Sequence, residues 1–316
     1  MRSLVLARRG VLAASLAAPA YAQARPIVMV VPFPPGGSTD VMGRLLAEQM
    51  AVRLGVPVQV ENRGGSATVV GAEYAARAAP DGHTLLVNSG TTLTLNPLLL
   101  KGLPYKVADF APISLLSTLP FAFLLKNSLP RTIPEFVALA KANPGKLNYG
   151  SNGPSSFNNI VTVLVADALG IRMQDVTYRG DAQQLADLLA GTLDLIVVGG
   201  ASALQPHRDG QARILAWTGD RRMPQTPEIP IFEEVSPGTV GQTYFGLCAP
   251  ARTPQLAIER LSQAAQAALA EPVMRERLLA EGQFALGTGP EAYMRFLTAE
   301  QARWAPLLKK MNLAID

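Results

Sequence analysis

Short apolar runs alternate with longer amphipathic stretches along this chain, and nearly every run stops in a cluster of small polar residues. Runs at residues 27–31, 56–60, 84–87, 110–116 and 121–125 predict β-strands. Between them, Met42, Leu45, Leu46 and Met50 recur at the spacing of one helical face, and an alanine-rich stretch reaches about Ala78. The pattern then starts again. A helix over 133–142 precedes strands at 147–149, 176–178, 193–198 and 213–217, with helices marked by Ile160, Val161, Leu164 and Val165, and by Leu185, Leu188 and Leu189. After a proline-rich polar connection at 219–241 comes one more strand, 244–249. The remainder reads as helix: Leu256, Leu261, Ala265 and Leu269 mark one, residues 274–280 another, and 293–311 a last one interrupted by Pro306. Strand–helix alternation predicts doubly wound, mostly parallel sheets, whose ligands bind beyond the carboxyl ends of the strands. The restart predicts two such lobes, with the C-terminal helices folded back on the first.

The first βα connection is the sharpest local feature. Pro32, Pro34 and Pro35 end the strand by barring both helix and ladder pairing, Gly36 and Gly37 free the backbone, and Ser38 or Thr39 is a candidate N-cap. Bare N–H groups at a helix N-terminus attract anions, so the loop is either a carboxylate or phosphate site or an ordinary βα turn. Comparable small polar ends follow the other strands at Ser89-Gly90-Thr91, Ser151-Asn152-Gly153 and Arg179-Gly180-Asp181.

Charge and candidate chemistry narrow the picture. Arg2, Arg8 and Arg9, a short apolar core and Ala20-Tyr21-Ala22 make residues 1–22 a secretory signal peptide, with Sec and twin-arginine export both open. Its arginines supply most of the formal net charge of +4, which leaves no case for nucleic acid. The single cysteine, Cys248, lies in an apolar run and reads as a buried thiol. Neither histidine, His83 or His207, has a partner at metal-ligand spacing, and there is no Gly-x-Ser-x-Gly elbow or phosphate-loop lysine. Gly287-Thr288-Gly289 imitates a dinucleotide fingerprint without its βαβ context, and Glu233-Glu234 is no glycosidase pair. No cofactor, metal or catalytic residue is expected.

The motifs Val31-Pro32-Phe33-Pro34-Pro35-Gly36-Gly37, Val60-Glu61-Asn62-Arg63, Pro80-Asp81-Gly82-His83-Thr84-Leu85, Asp109-Phe110-Ala111-Pro112, Pro144-Gly145-Lys146-Leu147-Asn148-Tyr149-Gly150, Tyr178-Arg179-Gly180 and Phe245-Gly246-Leu247-Cys248-Ala249-Pro250 stand in colinear order. With them the chain resembles the Bug family, extracytoplasmic solute receptors of tripartite tricarboxylate transporters. The resemblance implies an α/β, two-lobed type II periplasmic binding fold: 26–120 plus 229–316 form lobe one, 121–228 lobe two, with hinge segments near 117–121 and within 225–242. It implies a periplasmic receptor that closes on a small carboxylate and hands it to permease subunits, acting as a monomer and not as an enzyme. A sensor-kinase receptor domain, a periplasmic hydrolase using His83 or His207, and a scavenging protein are the alternatives.

The implied ligand residues are Phe33, Pro35, Gly36, Gly37, Ser38, Thr39, Asp40, Ser89 and Thr91 from lobe one, and Ser151, Asn152, Ser155, Ser156, Asn159, Arg179, Gly180, Asp181 and Ala182 from lobe two. Asp40 is either a pocket wall or a first-turn acid favourable to the helix dipole. Asp181, where many relatives have a second glycine, either N-caps its helix or meets an ammonium or hydroxyl of the ligand. Asn159 stands where relatives often have histidine. Phe157 either lines the pocket or packs in the core.

Overall fold

The computed structural model describes residues 25–311, so the expected signal peptide lies outside the described residues. Two sheets carry the chain. The first has strand order β11-β4-β10-β3-β1-β2, built from β1 (Ile27–Val31), β2 (Val58–Asn62), β3 (Thr84–Ser89), β4 (Phe110–Pro120), β10 (Gln242–Pro250) and β11 (Phe284–Ala285). The second has order β7-β6-β8-β5-β9, from β5 (Ala122–Lys126), β6 (Asn148–Ser151), β7 (Gln174–Thr177), β8 (Leu195–Val198) and β9 (Ala212–Trp217). Strands β1, β2 and β3 are parallel neighbours, as are β6, β7 and β8. The exceptions are the strands next to the crossings and the short edge strand: β10 runs antiparallel to β3 and β4, β5 antiparallel to β8 and β9, and β11 antiparallel to β4.

Helices cover both sheets as the layer rule requires. On the first, α1 (Ser38–Leu54) and α8 (Gln255–Ala270) pack together, burying Met42, Leu46 and Met50 against Leu261, Ala265 and Leu269 in one apolar cluster. α2 (Val69–Ala76) covers the other face. A π-helical turn at Thr91–Leu95 runs into α3 (Asn96–Leu99), a feature without apolar periodicity and unforeseen from the sequence. On the second sheet lie α4 (Ile133–Ala142), α5 (Phe157–Leu169), α6 (Asp181–Leu189) and α7 (Gly200–Arg208). The chain ends in α9 (Pro272–Ala280) and α10 (Pro290–Lys310). α8 and α9 fold back on the first sheet as expected, but α10 serves both: Tyr293 and Leu297 enter the first sheet's core, Trp304 and Leu308 the second's.

The chain crosses between the sheets at Phe121 and again through residues 218–241. One threonine ties these crossings together. Thr218, 1% exposed, accepts from the Phe121 N–H (2.9 Å) and donates to the Gly241 carbonyl (2.5 Å) through its hydroxyl, while its own N–H reaches the Phe121 carbonyl at 2.9 Å. Thr218→Val keeps the shape but strands a buried N–H and a buried carbonyl. A loss of about 1–2 kcal/mol is expected from such a pair, and urea unfolding of the two proteins measures it. Unchanged stability would show that the tie is dispensable.

Candidate functional site

The carboxyl ends of the two sheets face each other. Phe157, just after β6, lays its ring against Gly90, just after β3, where an added Cβ would stand 2.5 Å from the ring. Gly199, just after β8, packs beside Ser38 of α1. Gly200 lies so close to the turn between α9 and β11 that a Cβ there would fall 2.6 Å from Gly282 Cα and 2.9 Å from the Glu281 oxygen. The lobes therefore meet along the edge where open α/β sheets bind ligands.

On the lobe-one side, the proline–glycine loop delivers α1 with Gly37 as N-cap and no side-chain cap. This differs from the Ser38 or Thr39 cap expected from the sequence. Gly36 adopts φ +89°, a left-handed turn that glycine permits, and Asp40 then reaches back from the third helical position to hold it. The Asp40 carboxylate, 3% exposed, accepts from the Gly36 N–H (2.9 Å), Arg44 Nε (2.9 Å) and Asn62 Nδ2 (2.8 Å). Asn62 also donates to the Phe33 carbonyl at 3.1 Å. Burial alone would raise the Asp40 carboxyl, yet the bonds from Arg44, Gly36 and Asn62 outweigh it and hold the group below its ordinary value. Asp40 thus folds the loop from behind, and it turns the Gly36 N–H away from any ligand. The Ser38 and Thr39 amides remain as first-turn donors with no helical acceptor, and the Arg44–Asp40 pair leaves the positive helix end uncancelled.

Gln283, fully buried, is a supporting residue the sequence did not reveal. It accepts from Ser117 Oγ at 2.9 Å and donates to the Ser38 carbonyl at 3.3 Å, fixing the first turn of α1. Ser89 ends the adjacent strand β3 and Thr91 begins the π-helical turn after it; both are buried, with the Ser89 hydroxyl 3.3 Å from that of Thr92.

On the lobe-two side, Asn152 and Arg179 are exposed and Ser155, Ser156 and Gly180 half-buried on the loops after β6 and β7, while Ala182, in the first turn of α6, is exposed. Ser151 is buried and accepts from the Gly153 N–H at 3.0 Å, and the Ser156 hydroxyl donates to the Gly153 carbonyl at 2.6 Å. Both shape the loop. Asn159 does the same from within: it accepts from the Tyr149 hydroxyl at 2.7 Å and donates to the Pro154 carbonyl at 3.2 Å, leaving little of its amide for a ligand. Phe157 is core, stacked on Phe121 (6.3 Å between centroids) and edge-on to Trp304 (5.1 Å).

Asp181 does not cap its helix. Gly180 is the N-cap of α6, without a side-chain cap, and the Asp181 carboxylate accepts instead from Asn152 Nδ2 (3.1 Å) and Ser202 Oγ (3.4 Å). Burial pushes its carboxyl above the ordinary value, with the bonds from Asn152 and Ser202 opposing. Ser202 and the Gly199-Gly200 contact belong to α7, a helix the apolar pattern concealed, although Gly199-Gly200 repeats the small-residue strand ending seen at the other loops.

Other candidates are engaged elsewhere. His83 Nδ1 lies 3.3 Å from the Pro26 carbonyl, and His207 Nδ1 accepts from the Ile214 N–H at 3.3 Å. Cys248 is buried beside Asn88 Nδ2, and burial pushes its thiol up to about 12. Among the described residues no group of three or more His, Cys, Asp or Glu side chains is placed to hold a metal ion, and no helix is long and apolar enough to cross a membrane.

Two α/β lobes with opposed strand ends, joined by crossing segments, define a periplasmic-type solute-binding protein. Comparison with known proteins gives the particular kind. The profile of the tripartite tricarboxylate transporter family receptors matches residues 42–313, and the chain belongs to that family. It is 33% identical over 304 residues to Protein BugT of Bordetella pertussis, spanning 94% of this chain and 93% of that one. Among solved structures, the R. palustris protein Rpa4515 with adipate superposes with a TM-score of 0.86 at 28% identity, covering 92% of this chain and 98% of the other. MatC of Rhodopseudomonas palustris with bound malate gives a TM-score of 0.81 at 28% identity, covering 90% and 99%. The family consists of periplasmic solute receptors and not of enzymes, in line with the Bug resemblance of the motifs.

Proposed function

We propose that this protein is exported to the periplasm, captures a small organic acid between its lobes and delivers it to a tripartite tricarboxylate-type permease. The observation that carries this reading is the meeting of uncapped helix N-termini from the two lobes, α1 beside α7 at Ser38 and Gly199, with residues 34–37 exposed next to them. Such termini offer charge-assisted donors to a carboxylate without any cationic side chain, and closure strengthens them by excluding water. Support comes also from the relatives solved with adipate and malate, both carboxylates. In this reading Ser38 and Thr39 hold the ligand directly, while Gly36, Asp40, Ser151 and Asn159 shape the loops that hold it. Residues 26–120 plus 229–316 act as one lobe and 121–228 as the other, with Phe121 and residues 218–241 as the hinge.

Isothermal titration against linear dicarboxylates, hydroxy acids and amino acids is expected to find at least one binder in the micromolar range (about −8 kcal/mol). Small-angle scattering should show compaction with that binder. If only neutral sugars bound, the carboxylate reading would be wrong.

A further inference from the structure

The two lobes present opposite electrostatic faces to a ligand. At α1, the buried acid is Asp40, which has three donors including the Arg44 guanidinium, so the loop is neutral and the positive helix end is free. At α6, the acid is Asp181, and among the described residues no Lys, Arg or His pairs with it. A carboxylate offers about four acceptor positions, and here two are used, one of them at a long 3.4 Å. As a residue Asp181 is half-buried, in the first turn of α6 and beside the first turn of α7 through its bond from Ser202. Behind it, Gln184 is fully buried, donates to Asn152 Oδ1 at 2.6 Å and leaves its own Oε1 with no partner. The chain Gln184–Asn152–Asp181 therefore aims its donors toward Asp181 and ends in a carboxylate short of them.

This asymmetry fixes an orientation. The ligand carboxylate belongs at α1. At α6 the first-turn acid Asp181 stands beside the helix end, and a second carboxylate brought there would face it out of bulk water, where like charges repel strongly. We infer that the ligand is an acid carrying a hydrogen-bond donor, a hydroxyl or an ammonium, that reaches Asp181, and that Asp181 selects such acids over donor-free ones. Asn152 is a positioning residue that holds Asp181 in place. The inference rests on the carboxylate-receptor reading above and adds the chemical class of acid.

Two matched sets test it: succinate, malate and aspartate, and propionate, lactate and alanine, each titrated calorimetrically into the purified protein and into Asp181→Asn. The donor-bearing members are expected to bind at least about tenfold tighter than the donor-free one of their set, a difference typical of one charge-assisted bond. In Asp181→Asn the amino acids are expected to lose about tenfold or more, the hydroxy acids less, since a neutral amide oxygen still accepts from a hydroxyl, and the donor-free acids to hold or gain. A wild-type preference for the amino acid of each set assigns the donor as ammonium, and a preference for the hydroxy acid assigns it as hydroxyl. Equal binding of donor-free acids by the wild type, or an equal loss for every acid in the variant, would overturn the inference while leaving the receptor reading intact. If no acid of either set binds but a longer donor-free acid such as adipate does, the inference falls and the receptor reading stands; if no organic acid binds at all, both fall. Asp181→Gly is the second variant, since Asp181 makes no ion pair whose loss would unfold the chain, and its melting temperature relative to wild type checks the fold.

Discussion

Gly200→Ala is expected to weaken acid binding by roughly 100-fold, about 3 kcal/mol, at the upper end of what overpacking costs, because both facing groups are backbone and cannot swing aside. The new methyl would stand 2.6 Å from Gly282 Cα and 2.9 Å from the Glu281 oxygen, and both belong to the opposite lobe. The clash exists only while the lobes touch. Within its own lobe, Gly200 begins α7, where alanine suits the helix better than glycine. Thermal unfolding of the ligand-free variant should therefore shift by no more than about 2 °C, while scattering should show loss of ligand-induced compaction. A variant that still closes and binds as tightly as wild type would mean that the Gly200–Gly282 contact is not required for capture.

Asp40→Ala should act on stability and binding together. It removes the acceptor shared by the Gly36 N–H, Arg44 and Asn62, and leaves a cavity beneath the loop. Bonds to a charged acceptor contribute about 1.5–3 kcal/mol, so a destabilisation of about 2–4 kcal/mol is expected, with ligand affinity falling at least about tenfold as the loop loses its shape. The pH dependence has a definite sign. The carboxyl of the folded protein sits below the ordinary value of 3.8, so its stabilising effect is complete above that pH and is lost as pH falls through the lowered folded value. In acid titrations followed by circular dichroism, wild type and Asp40→Ala should differ most near neutral pH and converge below about pH 3.8. A constant gap down to strong acid would rule out the ionised carboxylate as the source.

The sequence was most informative where physics is local. The opening βα unit, the repeated small polar strand ends and the two-lobe restart could be read from periodicity and from glycine and proline chemistry, and the sheets follow them. Three features resisted. α7 was hidden because Gly200, Ser202 and Pro206 are poor helix formers, and burial of Ala203 and Leu204 by tertiary packing overrides that propensity. The cap of α1 was misplaced because Asp40 supplies the stabilising bond from inside the helix, so no hydroxyl is needed at its start. Gln283 and Ser202 bond to residues distant in sequence, Ser117 and Ser38 for the one and Asp181 for the other, and no spacing rule could foresee them. Among the site residues, the motif showed where the loops lie but not which polar groups face inward. Asn159, Ser151 and the Gly36 N–H are spent on the scaffold, a fact that only the hydrogen-bond pattern reveals.

The last helix alters how closure should be pictured. With Tyr293 and Leu297 rooted in one lobe's core, Trp304 and Leu308 in the other's, Gln301 donating to the Leu93 carbonyl and Lys310 paired with Asp167, α10 is clamped at both ends. A helix shared in this way lays one rod across both halves, so a relative movement of the lobes about Phe121 and residues 218–241 has to bend or shift that rod as well. A spectroscopic probe on α10 between Leu297 and Trp304, where the helix passes from one core to the other, is therefore where such a movement would register.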